Sequence, residues 1–122
     1  MAKFSLDDLR VYNMAEELAD LVWEAVATWR GFSKSAVGSQ LVRAADSVGA
    51  NIAEGYGCAS PADHQRFIRT ARGSLYEVRF FLRRADKRKL LTSEQKAPLQ
   101  RLLKDLLPAL NAYLRSLGTH DA

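Results

Sequence analysis

One cysteine, Cys58, leaves no partner for an internal disulfide, and the only histidines are His64 and His120. Together these three residues supply no zinc-binding set. No apolar run approaches the roughly 18 residues of a membrane span. The start, Met-Ala-Lys-Phe-Ser-Leu-Asp-Asp, has neither an apolar core nor a cleavage site for export. These absences predict a cytoplasmic protein with no membrane contact. His64 lies near Cys58 in sequence, but no third group completes a nucleophilic arrangement. The expectation is therefore no enzyme, with no catalytic residue, no metal and no cofactor. Strand-like alternation, internal repeats and low-complexity segments are also missing. Net charge is only +4, which permits a polyanionic partner without demanding one.

What remains is rich in Ala, Leu and Arg with only three prolines, and its 122 residues suit one domain over residues 1–122. Four helices are expected, at about 6–29, 35–56, 61–87 and 93–117. The first has Ser5 as N-cap and Asp7 and Asp8 in its first turn. Its apolar face includes Val11, Leu18, Val22, Trp23 and Trp29, and Glu16, Glu17, Asp20 and Glu24 lie opposite. In the second, Val37, Leu41, Ala44, Ala45, Val48 and Ile52 share one face, and small residues allow a close neighbour. Gly55 and Gly57 are expected to end it in the left-handed cap conformation. The third opens on Ser60 as cap, Pro61 at the first helical position and Asp63 reaching back. In the fourth, Leu99, Leu103, Leu106, Leu110, Tyr113 and Leu117 follow a heptad pattern, widened by Leu102, Leu107 and Leu114. Pro108 should bend this helix. Short connections favour an all-α, antiparallel up-down-up-down four-helix bundle.

Several segments carry a family resemblance. They are Asp8-Leu9-Arg10-Val11-Tyr12, Gln40-Leu41-Val42-Arg43-Ala44-Ala45-Asp46-Ser47-Val48, Asn51-Ile52-Ala53-Glu54-Gly55 and Arg72-Gly73-Ser74-Leu75-Tyr76-Glu77. With them the chain resembles the small four-helix-bundle proteins encoded within intervening sequences of bacterial large-subunit ribosomal RNA genes. Relatives of the accessory protein of diversity-generating retroelements belong to the same family. The resemblance spans nearly the whole chain and implies a closed homo-oligomeric ring, a homopentamer, without catalysis. For the retroelement relatives it also implies binding to nucleic acid and to a nucleic-acid-processing protein, a reverse transcriptase. Val42 departs from the pattern, standing where a second basic residue often precedes the arginine.

The third helix carries the main functional signal. Arg66, Arg69, Arg72, Arg79, Arg83, Arg84 and Lys87 fall on the side away from its core stripe, with Tyr76 and Phe80 among them. Arg88 and Lys89 extend the positive end. Guanidinium forks suit phosphate, and aromatics among them can stack on unpaired bases. The first reading is therefore an oligomer that binds nucleic acid, RNA in preference to DNA. The second is a protein–protein scaffold or adaptor, in which the basic face pairs with the acidic first helix, within a subunit or across a ring interface. A plain solvated surface is the third.

A polar ridge, Gln40, Arg43, Ser47, Asn51 and Glu54, runs beside the core stripe of the second helix. It reads as a structural hydrogen-bond network in which Arg43 or another arginine pairs with Glu54. Glu77 is expected to find its mate on another helix. Trp23 and Trp29 read as core or interface anchors. The Gly55 to Ser60 loop lacks the Lys-Ser/Thr ending of a phosphate-binding loop.

Overall fold

The computed structural model describes residues 4–118, so His120 lies outside the described residues. Ser5 opens a short 3₁₀ turn, Leu6–Asp8, and the Asp8 carboxylate accepts hydrogen bonds from the Ser5 N–H at 2.8 Å and its hydroxyl at 3.2 Å. Leu9 is extended, so the first long helix, α1, spans Arg10–Val26 rather than beginning at residue 6. It ends three residues earlier than expected. Thr28 folds back on Ala25, its hydroxyl donating to the Ala25 carbonyl at 2.7 Å.

The second helical region begins earlier than the expected residue 35. Gly31–Ser33 and a π-helical turn, Lys34–Gly38, run directly into α2, Ser39–Tyr56. Gly31 sits at φ +59, a left-handed conformation that disfavours any side chain. Helix α3 spans Pro61–Lys87, as expected, and α4 spans Ser93–Gly118. Thr92 and Gln95 form a reciprocal capping box at the start of α4: the Thr92 hydroxyl accepts the Gln95 N–H at 3.1 Å and the Gln95 side chain accepts the Thr92 N–H at 3.0 Å. Pro98 and Pro108 both lie inside α4.

No strand occurs among the described residues. Each helix packs on two neighbours: α2 on α1 and α3, and α4 on α3 and α1, with α2 and α3 in the most extensive contact. This is the arrangement of a four-helix bundle, in which α1 and α3 lie diagonally opposite. Leu18, Val22, Leu41, Val48, Ile52, Ile68, Leu75, Val78, Leu99, Leu106 and Leu110 are completely buried between them. Each such aliphatic side chain stabilises the fold by roughly 1.5–3 kcal/mol.

Two expectations about small and aromatic residues need correction. Gly55 does not end α2; it is buried inside the helix, where a Cβ would lie 3.0 Å from the Phe67 Cβ and 3.1 Å from the His64 carbonyl oxygen. Its function is close approach of α2 to α3. Gly57 does cap α2, but with φ −79, not left-handed. Of the two tryptophans, Trp29 joins the core, whereas Trp23 is 64% exposed and lies off the buried face of α1, which leaves for it the interface half of the core-or-interface reading. The Trp29 Nε1 is buried and has no hydrogen-bond partner among the described residues.

Candidate nucleic-acid interface

The basic stripe rests on a helix whose ends are locally determined. The Ser60 hydroxyl accepts the Asp63 N–H at 3.4 Å with Pro61 in the first turn. The Asp63 carboxylate is 3.5 Å from Arg66. At the other end, Lys89 takes φ +60, with Lys89 N–H bonded to Asp86 O at 3.0 Å and Leu90 N–H to Ala85 O at 2.9 Å. This is a Schellman closure with lysine in the position glycine usually takes. It adds a cation beside the carbonyl end of the helix dipole.

Along α3 the eight predicted contact residues do share one side, but they are not equivalent. Arg66 is exposed, pairs with Asp63 and covers the Phe67 ring at 4.5 Å. Arg69 is exposed and donates to the Gln65 side-chain oxygen at 3.3 Å. Arg72 is half-buried and donates to Asn111 of α4 at 3.1 Å, so it braces two helices. Arg79, Arg83 and Lys87 are exposed and make no ion pair among the described residues. Arg84 is half-buried, with its guanidinium carbon 5.7 Å from the Phe80 ring centre. Tyr76 and Phe80 stand 50% and 57% exposed among them.

A groove of about 520 Å³ separates α3 from α4. Leu75, Leu82, Leu99, Leu103 and Leu107 line its apolar part, and Tyr76, Arg79, Arg83, Lys96 and Lys104 contribute its polar edge. Lys96 is paired with Asp86 at 3.1 Å. Sequence reasoning missed Lys96 and Lys104 because it considered α3 alone. Their spacing of eight residues on α4 was the available signal.

The acidic side of α1 does not neutralise this surface within the subunit. Glu16, Glu17, Asp20 and Glu24 are exposed, α1 is diagonal to α3, and the ion pairs among the described residues are Arg66–Asp63 and Lys96–Asp86. Glu77 is likewise exposed without an ion pair there, contrary to the expected mate on another helix.

The polar ridge of α2 divides in two. The Ser47 and Ser74 hydroxyls are hydrogen-bonded at 2.8 Å, and the Asn51 amide donates to the Ser47 carbonyl at 2.8 Å and its hydroxyl at 3.0 Å. This half joins α2 to α3. Gln40, Arg43 and Glu54 are exposed, and Arg43 does not pair with Glu54. Eleven residues of helix separate those two by about 16 Å, too far for a side-chain contact.

No group of three or more His, Cys, Asp and Glu side chains among the described residues is placed to hold a metal ion. Cys58 donates its thiol to the Glu54 carbonyl at 3.4 Å. His64 instead meets Tyr113 of α4, with Nε2 and Oη 3.0 Å apart. Burial pushes the His64 imidazole below its ordinary pKa of 6.5, and burial, then the charge of Tyr56, pushes the Tyr113 phenol up. For histidine the sign follows directly: the unfolded chain holds the proton more tightly. The stability from a neutral His64 is fully present above about pH 6.5 and is lost as pH falls through the lower folded value. The wild-type melting temperature should therefore drop more between about pH 7.5 and about pH 5 than that of His64→Gln. Parallel melting profiles would show that the ring is not desolvated in the fold.

Among the described residues, no helix is long and apolar enough to cross a membrane. Among solved structures, the chain is similar to a protein of unknown function from the S23 ribosomal protein family of Bacteroides thetaiotaomicron VPI-5482. That crystal structure gives a TM-score of 0.74 at 22% sequence identity, covering 85% of this chain and 97% of the other. At that identity the likeness concerns the fold alone. The chain matches no curated protein. The sequence model of one family, however, matches residues 7–112, nearly the whole of the four-helix unit, and on that match the chain belongs to the 23S rRNA-intervening sequence protein family.

Proposed function

We propose that this protein is a non-enzymatic, cytoplasmic nucleic-acid-binding protein that works as a closed homo-oligomeric ring of antiparallel four-helix subunits. The observation that carries the reading is the stripe of Arg69, Arg79, Arg83 and Lys87 on one exposed side of α3. These cations have no carboxylate partner among the described residues and span about 27 Å of helix. Such a row neutralises successive phosphates and releases their counterions, with little reading of base identity. Lys104 on α4 widens it. RNA is preferred over DNA because the exposed Tyr76 and Phe80 beside the stripe suit the unpaired bases that a structured RNA displays.

Contacts of Gln65 with Leu117, Arg72 with Asn111 and Asp86 with Lys96 support an antiparallel α3 and α4. The number five for the ring rests on the resemblance described above. A ring would repeat the basic stripe and add avidity.

Titration of the purified protein against a labelled structured RNA at several salt concentrations tests this reading. Affinity should fall steeply with salt, with a log–log slope of roughly 0.7–0.9 per phosphate contact. Absence of binding at low salt would exclude the phosphate surface.

A scaffold or adaptor is the second reading. Its support is the exposed Trp23 flanked on α1 by Asp20 and Glu24, an apolar and acidic patch that complements a basic groove on another chain.

A further inference from the structure

Tyr76 and Phe80 are each at least half exposed, one helical turn apart on the same side of α3. Large aromatic rings left in water represent unused apolar area, and here they do not stand alone. Together with Arg79, Arg83 and Arg84 they line a shallow cleft of about 290 Å³. Phe80 is held edge-on against Phe81, with ring centres 5.3 Å apart. Arg84 keeps its Nε buried without a hydrogen-bond partner among the described residues. The cleft therefore combines two partly exposed rings one turn apart, about 5–6 Å between their Cβ atoms, with three guanidinium groups, of which Arg84 already covers one face of Phe80 and leaves the other open.

A duplex does not satisfy this combination. Its bases are stacked on one another, and the deep, narrow major groove of A-form RNA admits no side chains, so the rings would stay wet against a phosphate ribbon. An unstacked base has a free π face and carries a phosphate on each side. We infer that the cleft is a single-strand site: one unstacked base covers Tyr76 and Phe80 while the flanking phosphates are held by Arg79, Arg83 and Arg84. This rests on the nucleic-acid reading above and narrows its ligand to single-stranded RNA or the unpaired loops of a structured one.

The test compares one labelled RNA oligonucleotide of about twelve nucleotides, free or annealed to its complement, by fluorescence anisotropy with the full chain at fixed salt. The single strand should bind about tenfold more tightly than the duplex. Tyr76→Ala and Phe80→Ala should each weaken single-strand binding roughly five- to tenfold, leaving duplex affinity and the salt slope unchanged, and Tyr76→Phe should retain binding. Equal affinity for both forms, or variants that weaken both alike, would overturn the single-strand site while leaving the phosphate surface standing. Binding of neither form removes both. A change in elution volume of Tyr76→Ala or Phe80→Ala would assign the rings to subunit contact and likewise overturn the inference.

Discussion

Replacing Arg69, Arg79 and Arg83 together with glutamate should weaken RNA binding by roughly a hundredfold or more at low salt. The slope of log affinity against log salt should fall by about 2–3, because three phosphate contacts and their released counterions are lost. These three positions are chosen on structural grounds. All are exposed and none is ion-paired among the described residues, so charge reversal breaks no salt bridge of the fold. Arg72, which looks equivalent in the sequence, is a poor choice: its bond to Asn111 joins α3 to α4. A carboxylate there would face the Asn111 oxygen and disturb helix packing, so any lost affinity would report folding as much as contact. Circular dichroism and elution volume should stay at wild-type values for the triple variant. Undiminished affinity in a correctly assembled triple variant would remove α3 as the nucleic-acid surface and shift weight to the scaffold reading.

The second large effect concerns stability. Gly55→Leu should destabilise the fold by roughly 3 kcal/mol, lowering the melting temperature by on the order of 10 °C. The reason is geometric. A Cβ at this position would already lie 3.0–3.1 Å from Phe67 Cβ, the His64 ring and the His64 carbonyl oxygen, and the last belongs to backbone that cannot step aside. Longer side chains force α2 and α3 apart along their most extensive contact. Gly73→Ala makes the opposite control. Gly73 lies within α3, nothing stands within 4 Å of its would-be Cβ, and it has no positive φ. Alanine there should raise stability by about 0.5–1 kcal/mol through better helix propensity and a less flexible unfolded chain. Thermal melts of both variants check the contrast. A Gly55→Leu protein melting within about 2 °C of wild type would mean that the two helices are not held this closely.

Gly55 shows where the chain alone misleads. Gly55 precedes Gly57 near a helix end, and glycine pairs of this kind commonly mark a stop. Whether a glycine is a cap or a contact depends on what lies across from it, and local sequence does not contain that. Trp23 illustrates the same limit. Its place in a helical period near Val22 and Val26 fits the apolar face of α1, but a shift of one residue around a helix turns the side chain about 100°. Val22 occupies the core and Trp23 faces solvent.

The candidate interface was legible in its first half. Arginines three, four and seven residues apart align on one helix face by geometry alone, and α3 carries them there. The contribution of Lys96 and Lys104 was not legible, since it depends on which edge of α4 lies against α3. The link from Ser47 and Asn51 to Ser74 is of the same kind. Each of these residues reads as polar in its own helix, and only the rotation of α2 against α3 sets the hydroxyls in contact while leaving Arg43 and Glu54 outside.

By itself, then, the sequence determined the helical character of the chain, the buried stripe of each long helix and the local cap that starts α3. These follow from dihedral preference, capping chemistry and a 3.6-residue period, all set within a few neighbouring residues. Only the tertiary structure decided that α1 and α3 lie diagonally, so that acidic and basic faces do not cancel within one subunit. It also decided which arginines are free and which brace a neighbour, and where the apolar groove opens. Those features arise from the relative rotation and spacing of four helices. That arrangement is a collective result of packing, and no single stretch of the chain encodes it.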